Sequence, residues 1–122
     1  MSFKKLSVAE AKAAIDTNNA FVVDTRLPFD YFGGRIPGSL NLPAKSIGTR
    51  KQAVPQGRPI LIMAENDEFG HEVAEFAGTL GFADVGHIEG GFDAWLEADY
   101  PTDTISEGLG PAPTPPQAPK PA

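Results

Sequence analysis

The feature that most constrains this chain is an alternation of short apolar runs with segments of helical period. The runs are Phe21-Val22-Val23-Asp24, Ile60-Leu61-Ile62-Met63 and the short Val85-Gly86-His87-Ile88. A run apolar at successive positions, rather than at every second one, reads as a strand buried on both faces. Helical patterns lie between the runs. Ser7 and Glu10 have the spacing of a capping box, and Val8, Ala11 and Ile15 then share a face, so a helix is predicted from about Val8 to Asp16. Pro28 opens a helical turn in PFDYFGG. Ser39 to Pro43 reads as a further short strand, with a brief helix after it in AKSIGT. Phe69, Val73, Phe76, Ala77 and Leu80 form one apolar stripe. Gly81 follows at a left-handed stop position, with Phe82 where a Schellman contact is expected. A last helix is predicted in GGFDAWLEADYP, with Phe92, Trp95 and Leu96 facing inward and Pro101 as terminator.

Strands and helices alternating at this spacing imply an α/β fold, a parallel sheet covered on both faces by right-handed crossovers. Ligands of such sheets bind outside the carboxyl ends of the strands. Three loops meet there: after Asp24, after Met63, and at Glu89-Gly90-Gly91. The 122 residues suit one domain, assigned to 1–104. Half of the twelve prolines follow Gly110, and 105–122 reads as a Pro-rich flexible tail. Its Pro-x-x-Pro spacings at Pro113–Pro116 and Pro116–Pro119 fit a docking peptide, but a solvated linker is the favoured reading.

The net charge of −6 argues against a nucleic-acid or anionic-membrane surface. No stretch has the apolar length to span a bilayer. The lysines near the N-terminus precede no apolar run, so no signal peptide is expected and the localisation expected is cytoplasmic. The chain has no cysteine, which excludes disulfides, thiolate metal sites and thiol catalysis from its own residues.

FVVDTRLPFDYFGGRIPGSLNLP resembles the first signature of rhodanese-like domains: a strand ending in Asp-x-Arg, an acid-Tyr pair, a Pro-Gly turn and an Asn near the next strand. LGFADVGHIEGGFDAWLEADYP resembles the closing signature of the same family. The resemblance implies a central, mostly parallel sheet of about five short strands with helices on both faces. It also implies framework roles for Asp24, Arg26, Asp30, Tyr31, Pro37, Gly38, Gly90, Gly91 and Trp95. Arg35 stands where the family usually has His, and a salt bridge from Arg35 to the neighbouring loop is expected.

Active members of the family carry a nucleophilic cysteine at the end of the central strand. Counting back from Gly81 and Phe82, the resemblance puts that position on Ala64, and the loop that would cradle a persulfide is Glu65, Asn66, Asp67, Glu68, Phe69 and Gly70. A methyl group attacks nothing, and a reactive thiolate needs positive potential nearby. At ~8 Å and an effective dielectric of ~20, each carboxylate repels a unit negative charge by about 2 kcal/mol before salt screening. The same acids suit the positive end of the following helix, and the loop is expected to satisfy its own N–H donors with its own carboxylates. No catalytic residue and no cofactor are assigned.

The reading is a catalytically inactive rhodanese-like domain acting as a binding or regulatory module. Its binding candidates are Glu65, Asp67, Glu68, Phe69, Arg26 and Arg35, facing a protein or peptide with a basic surface. One alternative is a thiosulfate-type sulfurtransferase whose cysteine has been replaced by Ala64 through engineering. Another is a metal-binding acidic loop formed by Glu65, Asp67, Glu68 and His71, although the spacing matches no defined motif and no metal is assigned. His71 is otherwise expected exposed, near a helix end that disfavours its charge, and His87 is expected as a packed, neutral ring.

Overall fold

The computed structural model describes residues 3–104. Along the chain the elements are β1 (Lys4–Leu6), α1 (Val8–Asn18), β2 (Phe21–Asp24), α2 (Pro28–Gly33), β3 (Leu40–Asn41), β4 (Ile60–Met63), α3 (Asp67–Thr79), β5 (Val85–Ile88) and α4 (Gly91–Glu97). Two 3₁₀ turns, Ser46–Gly48 and Lys51–Ala53, lie between β3 and β4. The sheet order is β1-β5-β4-β2-β3, and every pairing is parallel. β4 lies at the centre, and all four of its residues are buried.

The two faces follow from the two-residue period of the strands. Val23, Ile60, Ile62 and Val85 pack with Val73, Ala74 and Ala77 of α3, and with Ile47 and Val54 from the 3₁₀ segment. Val22, Leu61, Met63 and Ile88 pack on the other face with Ala11 of α1 and Trp95 of α4. His87 alternates with Gly86 and Ile88, so it points to the α3 face.

Local rules account for the helix ends. The Ser7 hydroxyl accepts from the Glu10 N–H at 3.1 Å, while the Glu10 carboxylate accepts from the Ser7 N–H at 2.8 Å. This is the predicted capping box. Pro28 stands in the first turn of α2. Gly81, with φ +98°, follows α3 in the left-handed region.

The structure corrects two details. β1 was not legible, because Lys4-Lys5-Leu6 carries no apolar pattern; it is an edge strand made by pairing with β5. Leu96 was expected inside, yet it is 50% exposed, because α4 turns only Trp95 fully toward the sheet. The Pro-rich segment 105–122 lies outside the described residues.

Candidate functional site

The register aligns the ends of the central strands. Asp24 pairs with Met63, and Ile62 pairs with His87. The chains leaving β2, β4 and β5 therefore emerge side by side.

The β2 end is held by a buried ion pair. The Asp24 carboxylate accepts from Nε and Nη2 of Arg26, the shortest contact being 2.8 Å, and also from the Arg26 backbone N–H. Arg26 Nη2 donates further to the Gly34 carbonyl at 2.7 Å, and the Asn41 amide donates to the Asp24 and Arg26 carbonyls. Arg26 is only 9% exposed, and its guanidinium lies 4.4 Å from the Phe92 ring centroid. Arg26 is thus buried in this ion pair, a correction to its expectation as an exposed neighbour of the acidic loop. Tyr31 braces the same region by donating to the Ser39 carbonyl at 2.6 Å.

The β4 end carries Ala64, fully buried. Asn66 caps α3: its side-chain oxygen accepts from the Phe69 N–H at 2.8 Å. The Gly70 N–H is taken by the Asn66 carbonyl. Asp67 reaches across to the next loop, where its carboxylate accepts from the Gly90 N–H at 2.9 Å. Glu65 and Glu68 stay exposed, whereas Phe69 is half-buried and packs against the core. Contrary to expectation, the loop's N–H donors are therefore not satisfied by its carboxylates: among the described residues the one side-chain acceptor within the loop is the Asn66 amide, and Asp67 accepts from a donor outside it.

The β5 end turns through Gly90 and Gly91, with φ +88° and +66°. A β-carbon on Gly91 would lie 3.3 Å from the Ala64 carbonyl oxygen, so glycine lets this loop close over the β4 end. Between the loops is a pocket of about 220 Å³ lined by Arg26, Asp30, Glu65, Gly90, Phe92 and Asp93. With Arg26 neutralised by Asp24, the unbalanced charge comes from Asp30, Glu65 and Asp93. Beside it α2 exposes Phe29, 86% accessible, and Phe32, with Leu27 immediately before the helix.

Arg35 makes no salt bridge with the acidic loop. It pairs through its backbone with Asp103, and its guanidinium stands 5.0 Å from the Tyr31 ring centroid. Pro37 and Gly38 form an exposed turn, with Gly38 at φ +80°. Trp95 is buried and donates from Nε1 to the Pro101 carbonyl at 2.8 Å.

His71 is not an exposed neighbour of the acidic loop, as expected, but half-buried. Its Nε2 lies 2.8 Å from Glu89 Oε2, and Nδ1 of the fully buried His87 lies 2.7 Å from the same oxygen. Burial pushes the Glu89 carboxyl up, but the hydrogen bonds from His87 and His71 and their charges outweigh it, leaving its pKa lowered. The proposed cluster of Glu65, Asp67, Glu68 and His71 is therefore not assembled. Sequence reasoning missed Glu89, Phe92, Asp93 and Phe29; for Glu89 and Asp93 the available signal was their position in or just after a loop at a strand's carboxyl end.

Fold and site together define an α/β domain with a loop site above the central strand. The rhodanese-like domain model matches residues 7–98, and the chain belongs to that family. A thiosulfate sulfurtransferase, GlpE of Pseudoalteromonas translucida (strain TAC 125), is 33% identical over 100 residues, covering 82% of this chain and 94% of the relative. The Alr3790 protein of Anabaena sp. superposes with a TM-score of 0.75 at 22% identity, covering 84% of this chain and 82% of that one. A rhodanese-related protein of Thermoplasma volcanium gives 0.73 at 23% identity, covering 83% and 98%.

Proposed function

We propose that this chain is a rhodanese-like domain that binds rather than transfers sulfur, and that its ligand is a basic peptide segment carrying apolar side chains. The observation that carries the reading is the pocket between the loops that follow β2, β4 and β5, lined by Asp30, Glu65 and Asp93, with exposed Phe29 next to Asp30 in α2. Without a thiol the site has no sulfur nucleophile, and its carboxylates repel an anionic donor. The same carboxylates attract Lys or Arg side chains. The exposed Leu27, Phe29 and Phe32 beside them supply apolar contact area, the combination that makes a short peptide hold its place.

The test is fluorescence anisotropy with labelled peptides of equal length, one interleaving Lys or Arg with Leu and Phe, the other replacing each cation by Glu. The basic peptide is expected to bind in the micromolar range and to weaken with added salt, since exposed charge pairs are screened. E65Q/D93N is expected to weaken it at least tenfold. Equal binding of both peptides, or unchanged binding by the variant, overturns the proposal.

A further inference from the structure

Both histidines of the chain converge on one carboxylate, Glu89, and none of the three residues lines the acidic pocket. His71 comes from the second turn of α3, His87 from the buried end of β5, and Glu89 from the loop immediately after it. Their facing atoms, Nε2, Nδ1 and Oε2, lie within 4.8 Å of one another. We propose that His71, His87 and Glu89 form a binding site for a divalent transition cation of the zinc class.

The donor set supports this. Two imidazole nitrogens and one carboxylate oxygen suit zinc, whereas calcium and magnesium favour oxygen cages. The supports are in place before any ion arrives. The Glu89 backbone is tied to Leu6 by a 2.7 Å hydrogen bond, and His87 is fixed within the sheet. The His71 ring stands between Phe3, at 5.4 Å, and His87, at 4.8 Å, measured between centroids. His71 and Glu89 keep 28% and 30% of their side-chain surface, which leaves an approach from solvent and an open fourth position.

Because an ionised carboxylate only accepts, both ring nitrogens that face Glu89 carry hydrogen when no ion is bound. A cation takes the place of those two hydrogens. Tetrahedral zinc with bonds of ~2.0–2.1 Å spaces its ligands about 3.3 Å apart. The half-exposed Glu89 and His71 side chains must therefore adjust: the carboxylate retreats slightly and His71 closes toward His87. His87 must carry its proton on Nε2, which is buried, lacks a partner among the described residues and abuts Gly70. That cost places the affinity in the micromolar class rather than the much tighter class of dedicated zinc domains.

The test is a titration of the full chain, free of any histidine tag, with cobalt(II) as probe, followed by displacement with zinc. One equivalent is expected to produce the visible absorption of a four-coordinate cobalt site, and zinc is expected to abolish it. H71A, which alters a half-exposed residue, and E89Q are each expected to weaken binding at least tenfold with the far-ultraviolet spectrum preserved. E72Q/E75Q removes two exposed charges from the same helix and is expected to leave binding unchanged. No cobalt spectrum, binding that survives H71A, or binding that E72Q/E75Q abolishes overturns the proposal. Peptide binding is read separately, so either proposal can fail alone.

Discussion

Gly70 sits inside a helix, where glycine costs ~1 kcal/mol relative to alanine. The reason is contact: a β-carbon there would stand 1.9 Å from Nε2 of His87, whose ring is fully buried and held to Glu89. Gly70→Ala is therefore expected to lower stability in spite of its better helix propensity, since overpacking a core costs about 1–3 kcal/mol. A reduced urea midpoint checks this, and the loss should shrink in a His87→Ala background. A raised midpoint for G70A would contradict the packing argument. Ala64 is a different case. Its methyl is fully buried at the strand end, where the chain passes into the loop.

At the level of elements, α3 is fastened to the β5–α4 connection at two places one helical turn apart, Asp67 to the Gly90 N–H and His71 to Glu89. The second fastening depends on pH. Glu89 has a folded-state pKa below its ordinary value. Its stabilisation is thus present above the unfolded glutamate range, ~4.3, and is lost as pH falls through the lower folded value. E89Q removes that contribution, so its stability is expected to fall less steeply than the wild type between about pH 5 and pH 3. Urea midpoints across that range provide the measurement, and parallel curves would exclude Glu89 as a source of acid sensitivity. α2 contrasts with α3: it buries Tyr31 while leaving Phe29 and Phe32 outside.

For the whole molecule, the net charge of −6 and the acids around the strand ends act in one direction on any anionic donor. On the proposed reading, a thiol placed at position 64 would lack the positive potential it requires. A64C is expected to transfer sulfur from thiosulfate to cyanide at least about 100-fold more slowly than a cysteine-bearing sulfurtransferase assayed alongside, given several kcal/mol of repulsion at tenfold per 1.4 kcal/mol. Comparable turnover would mean that the acids do not control the site. Much of this architecture was legible in the residues alone. Four of the five strands announced themselves by apolar runs or turn boundaries, α1 by its capping box, α3 by its stripe, and the loss of the thiol by composition. Those signals are local, set by backbone periodicity and by what each residue can donate or accept. What the tertiary structure decided is which distant groups meet: β1 against β5, Arg26 consumed by Asp24 and Gly34, Asp67 spent on Gly90, and His71 brought to Glu89 eighteen positions away. Such meetings depend on strand register and helix rotation, quantities that sum over the whole packed core and are written in no single stretch of chain.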